Sequence, residues 1–153
     1  MKSLTLAFIF WFSHISPIGI SGGCMKSNWQ YRLYVAISEN FNGRGVFTNE
    51  AVPAGSIIEI APVIVIPRHQ VHPIQKTILS NYVYEYDEGS DAVALGYGSL
   101  YNHSYTPNSF YQFDLDEQTI EIIALEDIPA HAELTINYNG DPEDRTRLWF
   151  SVK

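Results

Sequence analysis

A mainly β domain is the fold this sequence predicts, and three observations predict it. Runs rich in Val, Ile, Tyr and Phe are short and are separated by Gly, Pro, Asn and Asp. Only one segment reads as a helix. A chain of 153 residues is the size of one domain and can bury a core without disulfides or metals.

The elements follow in order. Residues 31–37, YRLYVAI, mix polar and apolar side chains as a strand does. Residues 40–47, NFNGRGVF, are an Asn- and Gly-rich turn that leads into a second strand. SIIEI and VIVI flank Ala61-Pro62, and the second is a buried-strand run. HPIQKTILSNYVYEY holds the helix, over residues 73–81, and then an aromatic strand, YVYEY. SFYQFDL and TIEIIAL flank Asp116-Glu117-Gln118 and predict a hairpin. ELTINY is one more strand, and DPEDRTRLWFSVK closes the chain with a charged turn and an aromatic pair. EAVPAGSIIEI and EDIPAHAELTI align without gaps and share Glu, Pro, Ala and the final Ile. They are an old duplication or two similar strand-turn-strand solutions in which Pro fixes the turn.

Residues 1–24 are an apolar extension of a different character. Lys2, the apolar run 4–12 and the small residues before Cys24 are similar to a secretory signal peptide. The run is too short for a membrane span and is interrupted by His14 and Pro17. The triplet MKS occurs at both Met1 and Met25, so Met25 is a second candidate start. The single cysteine, Cys24, excludes an internal disulfide and a zinc finger. Asp and Glu number 17 against 9 Lys and Arg, a formal charge of −8. Such a chain repels nucleic-acid phosphates and attracts cationic partners such as lysine-rich segments, although plain solubility explains the same charge.

Three constellations carry chemistry. GRG, Gly43 to Gly45, lets backbone approach a ligand closely, or is simply a turn. In NHSYTPN, Asn102 to Asn108, the Asn and Ser side chains can bond loop backbone and His103 can hold the loop shape. A metal site is disfavoured: His69 and His72 form an HxxH pair without a third ligand. A Ser-His hydrolase built on Ser99 or Ser104 lacks the G-x-S-x-G elbow. ELTINY ends in Tyr138, a phenol that a strand end can place at a cavity rim. Taken singly, each of these has an ordinary structural explanation.

Their order and spacing resemble a known family. GRGVF, NEAVPAGSIIEI, LGYGSLYNHSYTPNSFY and IPAHAELTINY together resemble the SET domain of protein-lysine methyltransferases, in the compact form without a zinc-binding flank. The NHSxxPN element followed by ELxxxY is the specific part, and the resemblance runs from about residue 31 to 138 within a domain of residues 25–153. It implies several small sheets around a pseudoknot in which the NHS segment and the last strand thread together. It implies S-adenosylmethionine as methyl donor, no metal, and a lysine of a basic protein, histone-like or ribosomal, as acceptor. Neither nucleic acid nor membrane is an expected partner; a second copy of the chain is one, if it completes the substrate groove. Tyr138 matches the catalytic tyrosine. Tyr111 matches a second channel tyrosine, nine residues after Asn102, which favours mono-methylation. Asn102 and His103 match the donor-binding pair, and Arg44 and Gly45 the donor-binding turn. Trp149 resembles an aromatic that stacks on the donor's adenine, and Phe150 one that closes the lysine channel. The pattern departs from the family at Tyr105, where Cys is usual, and at His131-Ala132, where Gly-Glu is usual. Because the donor is made and kept inside cells, the resemblance implies an intracellular protein starting near Met25. The competing functions are an inactive SET-like module that binds basic peptides and, on the N-terminal run alone, a secreted β-rich protein.

Overall fold

Nine strands and one short α-helix order the residues described by the computed structural model, 31–41 and 43–148. The N-terminal extension, the Met25 start, Trp149 and Phe150 lie outside the described residues. The strands are β1 (Leu33–Ile37), β2 (Arg44–Thr48), β3 (Ile57–Ile66), β4 (Val83–Glu85), β5 (Asp91–Ala94), β6 (Asn102–His103), β7 (Ser109–Asp114), β8 (Thr119–Ala124) and β9 (Glu133–Ile136). Helix α1 (Arg68–Ile74) joins β3 to a 3₁₀ turn at Ile78–Asn81 that precedes β4. One sheet has the order β1-β2-β9-β6, the other β4-β5-β3-β8-β7.

The expected hairpin is present: β7 and β8 pair antiparallel from Ser109↔Ala124 to Asp114↔Thr119. Along β8 burial alternates strictly, with Ile120, Ile122 and Ala124 inward. These join Val46, Ile58, Tyr101, Leu134 and Ile136 in one core. Each fully buried aliphatic side chain there contributes about 1.5–3 kcal/mol. The two echoed segments lie against each other. Val52 and Ile128 exchange two backbone hydrogen bonds of 2.8 Å, and the Asp127 carboxylate accepts from Ala54 N–H at 2.9 Å.

Three local readings are corrected. SIIEI and VIVI are halves of one strand, β3, which passes through Pro62. Its residues up to Pro62 pair with β8 and those from Val63 onward with β5. Pro62 therefore sits at a handover between neighbours, where it gives only its carbonyl, to Leu95 N–H at 2.9 Å. The helix lies earlier than expected. Pro67 takes the N-cap, and Pro73, expected to start the helix, falls in its last turn, where it has no N–H to carry the helix on. Neither α1 nor the 3₁₀ turn buries a residue, so no apolar stripe marks them in the sequence. β5 was not anticipated, being four residues of Asp, Ala and Val with little strand character of their own.

The placement of the site depends on β6. Its two residues run parallel to β9, Asn102↔Thr135 and His103↔Ile136, and Ser104 N–H extends the pair to the Ile136 carbonyl at 2.9 Å. Asn108 then acts as a substitute strand. Its amide donates to the Glu133 carbonyl at 2.8 Å and accepts from Thr135 N–H at 2.9 Å. The Ser109 hydroxyl adds a bond to the Thr135 carbonyl at 2.8 Å. Asn108→Ala is expected to destabilise the fold by about 2–3 kcal/mol, because two β9 backbone groups lose their partners. Urea unfolding with an unchanged m-value checks this, and a change under about 0.5 kcal/mol would contradict it.

Candidate active site

Gly45, Asn102 and Glu133 meet where β2, β6 and β9 converge. The Asn102 amide donates to the Arg44 carbonyl at 3.1 Å and to Glu133 Oε1 at 2.7 Å. Both of its hydrogens are thereby committed, and Oδ1 is the amide's acceptor atom. Glu133 Oε2 accepts from the Ser38 hydroxyl at 2.8 Å, and Ser38 Oγ in turn accepts from the backbone of Asn40 and Phe41. One carboxylate thus fixes both the Asn102 amide and the turn between β1 and β2. Gly45 makes this arrangement possible: a Cβ there would lie 2.1 Å from Glu133 Oε1 and 2.7 Å from Asn102 Nδ2. Sequence reasoning took this glycine as a place for ligand to approach; in the structure its missing side chain is filled by Glu133 and Asn102.

His103 and Tyr138 are also brought together. His103 Nδ1 accepts from Tyr138 N–H at 3.1 Å, and the two rings are 5.3 Å apart. His103 is buried, which lowers its pKa and keeps the ring neutral, as an accepting nitrogen requires. The Tyr138 hydroxyl donates to the Tyr101 carbonyl at 2.8 Å. Burial, with Tyr82 and Glu133 nearby, pushes the Tyr138 phenol up to about 12, so it stays protonated at neutral pH. Tyr105, at the position where Cys is usual, holds the chain just before Trp149: its hydroxyl donates to the Thr146 carbonyl at 3.3 Å and accepts from Leu148 N–H at 3.1 Å.

Tyr138 stands between two clefts. One, of about 510 Å³, is lined by Tyr82, Tyr84, Tyr86, Tyr101, Tyr111 and Tyr138, with Glu85 at its wall. The other, of about 410 Å³, is lined by Phe41, Gly43, Arg44, Asn102 and again Tyr82, Tyr101 and Tyr138. The predicted residues therefore sort by side. Arg44 and Asn102 share the second cleft and Tyr111 lies in the first. Tyr138 borders both, and its backbone is held by His103. Tyr111 packs edge-to-face on Tyr84 at 5.0 Å, and burial raises the pKa of both phenols. Tyr84, whose hydroxyl donates to the Gly98 carbonyl at 2.5 Å, was not singled out in the sequence, although the YVYEY run was its signal. Among the described residues no group of three or more His, Cys, Asp or Glu could hold a metal ion. None of the described helices is long and apolar enough to cross a membrane.

A second unforeseen residue is Glu59, which is 1% exposed. Its oxygens accept from Tyr97 N–H at 2.9 Å and from the Tyr101 hydroxyl at 2.8 Å, and burial raises its pKa above 4.5. The folded state therefore holds this proton more tightly than the unfolded chain. The stability so gained is fully present below pH 4.5 and is lost as pH rises through the folded value. Glu59→Gln is expected to remove that loss, and melting curves between pH 4 and 8 check it. An identical pH dependence in parent and variant would rule out Glu59 as its source.

A SET domain profile matches residues 43–139 of the chain. The chain is 38% identical over 109 residues to a Schizosaccharomyces pombe protein named as a histone-lysine N-methyltransferase specific for H3 lysine-37; the match covers 71% of this chain and 70% of that one. It is also similar to a solved structure from Plasmodium falciparum, described as a candidate histone methyltransferase, with a TM-score of 0.61 and 29% identity over 71% of this chain and 94% of the other. With nine strands in two small sheets among the described residues, a parallel β6–β9 pair and a tyrosine between two clefts, the chain belongs to the SET-domain family.

Proposed function

We propose that this chain transfers a methyl group from S-adenosylmethionine to the ε-amine of a lysine in a basic protein. The observation that carries the reading is that Tyr138 borders both clefts, one lined by tyrosines and the other by Arg44 and Asn102. Membership of the SET family and a relative named as a histone-lysine N-methyltransferase support the enzyme class.

The residues present fit the donor: Asn102 lines the second cleft and its Oδ1 acceptor suits the ammonium of an amino-acid end, and the Glu133 carboxylate bonded to the same amide favours a cation. When bound, S-adenosylmethionine supplies a methyl group on a sulfonium sulfur and leaves as the neutral thioether. The tyrosine cleft does the rest. An ammonium has no lone pair, so the lysine must arrive or become neutral, and burial among aromatic rings lowers its pKa. The rings also accept the alkyl stem and the methylated head by cation–π contact. Tyr138 commits its proton to the Tyr101 carbonyl, which fixes where its oxygen points. Alignment of amine and methyl supplies much of the rate. Trp149 and Phe150 are proposed to cover the adenine and the channel. A donor made and kept inside cells supports an intracellular location for the protein.

Incorporation of labelled methyl from the donor into a lysine-rich protein pool tests the proposal. Donor binding by calorimetry without any incorporation would sink the enzyme and favour a module that binds basic peptides. Tyr111 is proposed to limit the product to monomethyl-lysine by occupying space beside the amine; Gly140, at φ +91°, lies next to its hydroxyl. Tyr111→Phe is expected to raise the dimethyl and trimethyl share at least about fivefold by mass spectrometry, a shift of ~1 kcal/mol in selectivity. An unchanged product distribution would remove Tyr111 from that role.

A further inference from the structure

We propose that Glu59 is a positioning residue for Tyr138 and acts through Tyr101. Its carboxylate clamps both ends of the one-turn 3₁₀ segment Gly98–Leu100, and the far end of that segment carries the carbonyl to which the Tyr138 hydroxyl is bonded. The proposal rests on the reading of Tyr138 as the phenol at the reacting centre.

Four observations carry it. First, Tyr97 and Tyr101 are the two caps of the 3₁₀ segment, and Glu59 takes one bond from each: a backbone N–H from Tyr97 and a phenol O–H from Tyr101. Second, Tyr101 is 2% exposed and Glu59 1%, so the clamp works without competing water. Third, the turn has little other freedom: a Cβ at Gly98 would lie 2.6 Å from Ala94 Cβ, and Ser99 Oγ donates to the Tyr82 carbonyl at 2.8 Å. Fourth, Glu59 is turned inward by a register shift in β3 between Ile57 and Glu59, which leaves two successive residues, Ile58 and Glu59, facing the core. Bulges of this kind re-aim side chains next to active sites. A buried carboxylate whose two partners are both neutral costs stability, and burial also raises its pKa. An apolar residue would pack there at lower cost, so what the acid adds is the pair of bonds it holds.

Three variants separate the clamp from mere packing. Glu59→Leu removes both bonds and suits an apolar core. Tyr101→Phe removes one. Glu59→Gln keeps the acceptor for Tyr97 N–H but sets an amide donor against the Tyr101 hydroxyl, so the second bond is reversed and the phenol proton loses its acceptor. In Glu59→Leu, kcat is expected to fall about 10- to 100-fold. The substrate KM and the Kd for S-adenosylhomocysteine should stay within about threefold, because Asn102 is held separately by Glu133 and Arg44. In the same variant without ligand, the ¹³C-tyrosine NMR resonance of Tyr138, assigned with Tyr138→Phe, should shift or broaden. Tyr101→Phe should show a fall of about 3- to 10-fold and a smaller shift, and Glu59→Gln, which keeps the Tyr97 bond, should lose no more than Tyr101→Phe in both readouts. A folded Glu59→Leu with the resonance in place and kcat within twofold overturns the proposal. If that variant does not fold, Tyr101→Phe decides by the same two readouts. A Glu59→Gln as slow as Glu59→Leu overturns the clamp as well. Should Tyr138→Phe turn over at the parental rate, the reading of Tyr138 fails and takes this proposal with it. If Tyr138→Phe is inactive while Glu59→Leu is not impaired, the Glu59 proposal alone fails.

Discussion

Tyr138→Phe is expected to lower kcat by about 10²–10³-fold while leaving the affinity for S-adenosylhomocysteine within about twofold, the range found when one preorganised polar group is removed from a reacting centre. The substitution deletes a single oxygen. The ring keeps its packing beside His103, and the backbone keeps its bond to His103 Nδ1. The Tyr101 carbonyl loses its partner, at a cost of about 1–3 kcal/mol, so the variant should still be folded and should melt a few degrees lower. Steady-state rates, calorimetry and a melting curve on one preparation check all three statements. The pH dependence adds a control. Because the Tyr138 phenol lies near 12, its ionisation cannot produce a limb in the rate between pH 7 and 10. A rising limb there belongs to the acceptor amine, and it should persist in the residual activity of Tyr138→Phe. A variant within tenfold of the parental rate would show that the hydroxyl is not at the reacting centre.

What the sequence revealed depended on how local the physics was. The β7–β8 hairpin was legible because alternation and turn chemistry are written within sixteen residues. β6 was not, since two residues become a strand only through a parallel partner thirty-three positions away. The helix was misplaced because its start is set by Pro67, while the more conspicuous Pro73 falls at its end. At the site, Asn102, His103, Tyr111 and Tyr138 could be named from motif order, and the structure sets Asn102, Tyr111 and Tyr138 around the two clefts, with His103 bonded to the Tyr138 backbone. The residues that hold them were harder to see. Glu133 was visible in ELTINY, but its bonds to Asn102 and Ser38 span 31 and 95 residues. Glu59 reads as one acid in an apolar run; only the register shift in β3 turns it inward.

Gly45→Ala is the most damaging change expected away from the tyrosines, and its neighbour supplies the control. At Gly43 a Cβ would meet nothing within 4 Å, so Gly43→Ala should change stability by no more than about 0.5 kcal/mol. At Gly45 the new atom would lie 2.1 Å from Glu133 Oε1 and 2.9 Å from its Cδ. β2 cannot withdraw, because Val46 and Phe47 are paired with Leu134 and Glu133 on β9. The carboxylate must therefore swing away. It then releases Asn102 Nδ2, which frees that amide to rotate, and the Ser38 hydroxyl, which organises the turn before Gly43. Overpacking of this kind costs about 1–3 kcal/mol, and each lost hydrogen bond to a charged group about 1.5–3 kcal/mol more before relaxation. Urea unfolding should show a loss of at least ~2 kcal/mol, and calorimetry at least a tenfold weaker binding of S-adenosylhomocysteine. The cause can be isolated by a double-mutant cycle. In a Glu133→Ala background only the 2.7 Å approach to Asn102 Nδ2 remains, on an amide freed from its carboxylate partner, so Gly45→Ala should cost at least about 1 kcal/mol less there than in the parent. Equal costs in both backgrounds would mean that the glycine is required for its backbone and not for the space that Glu133 fills.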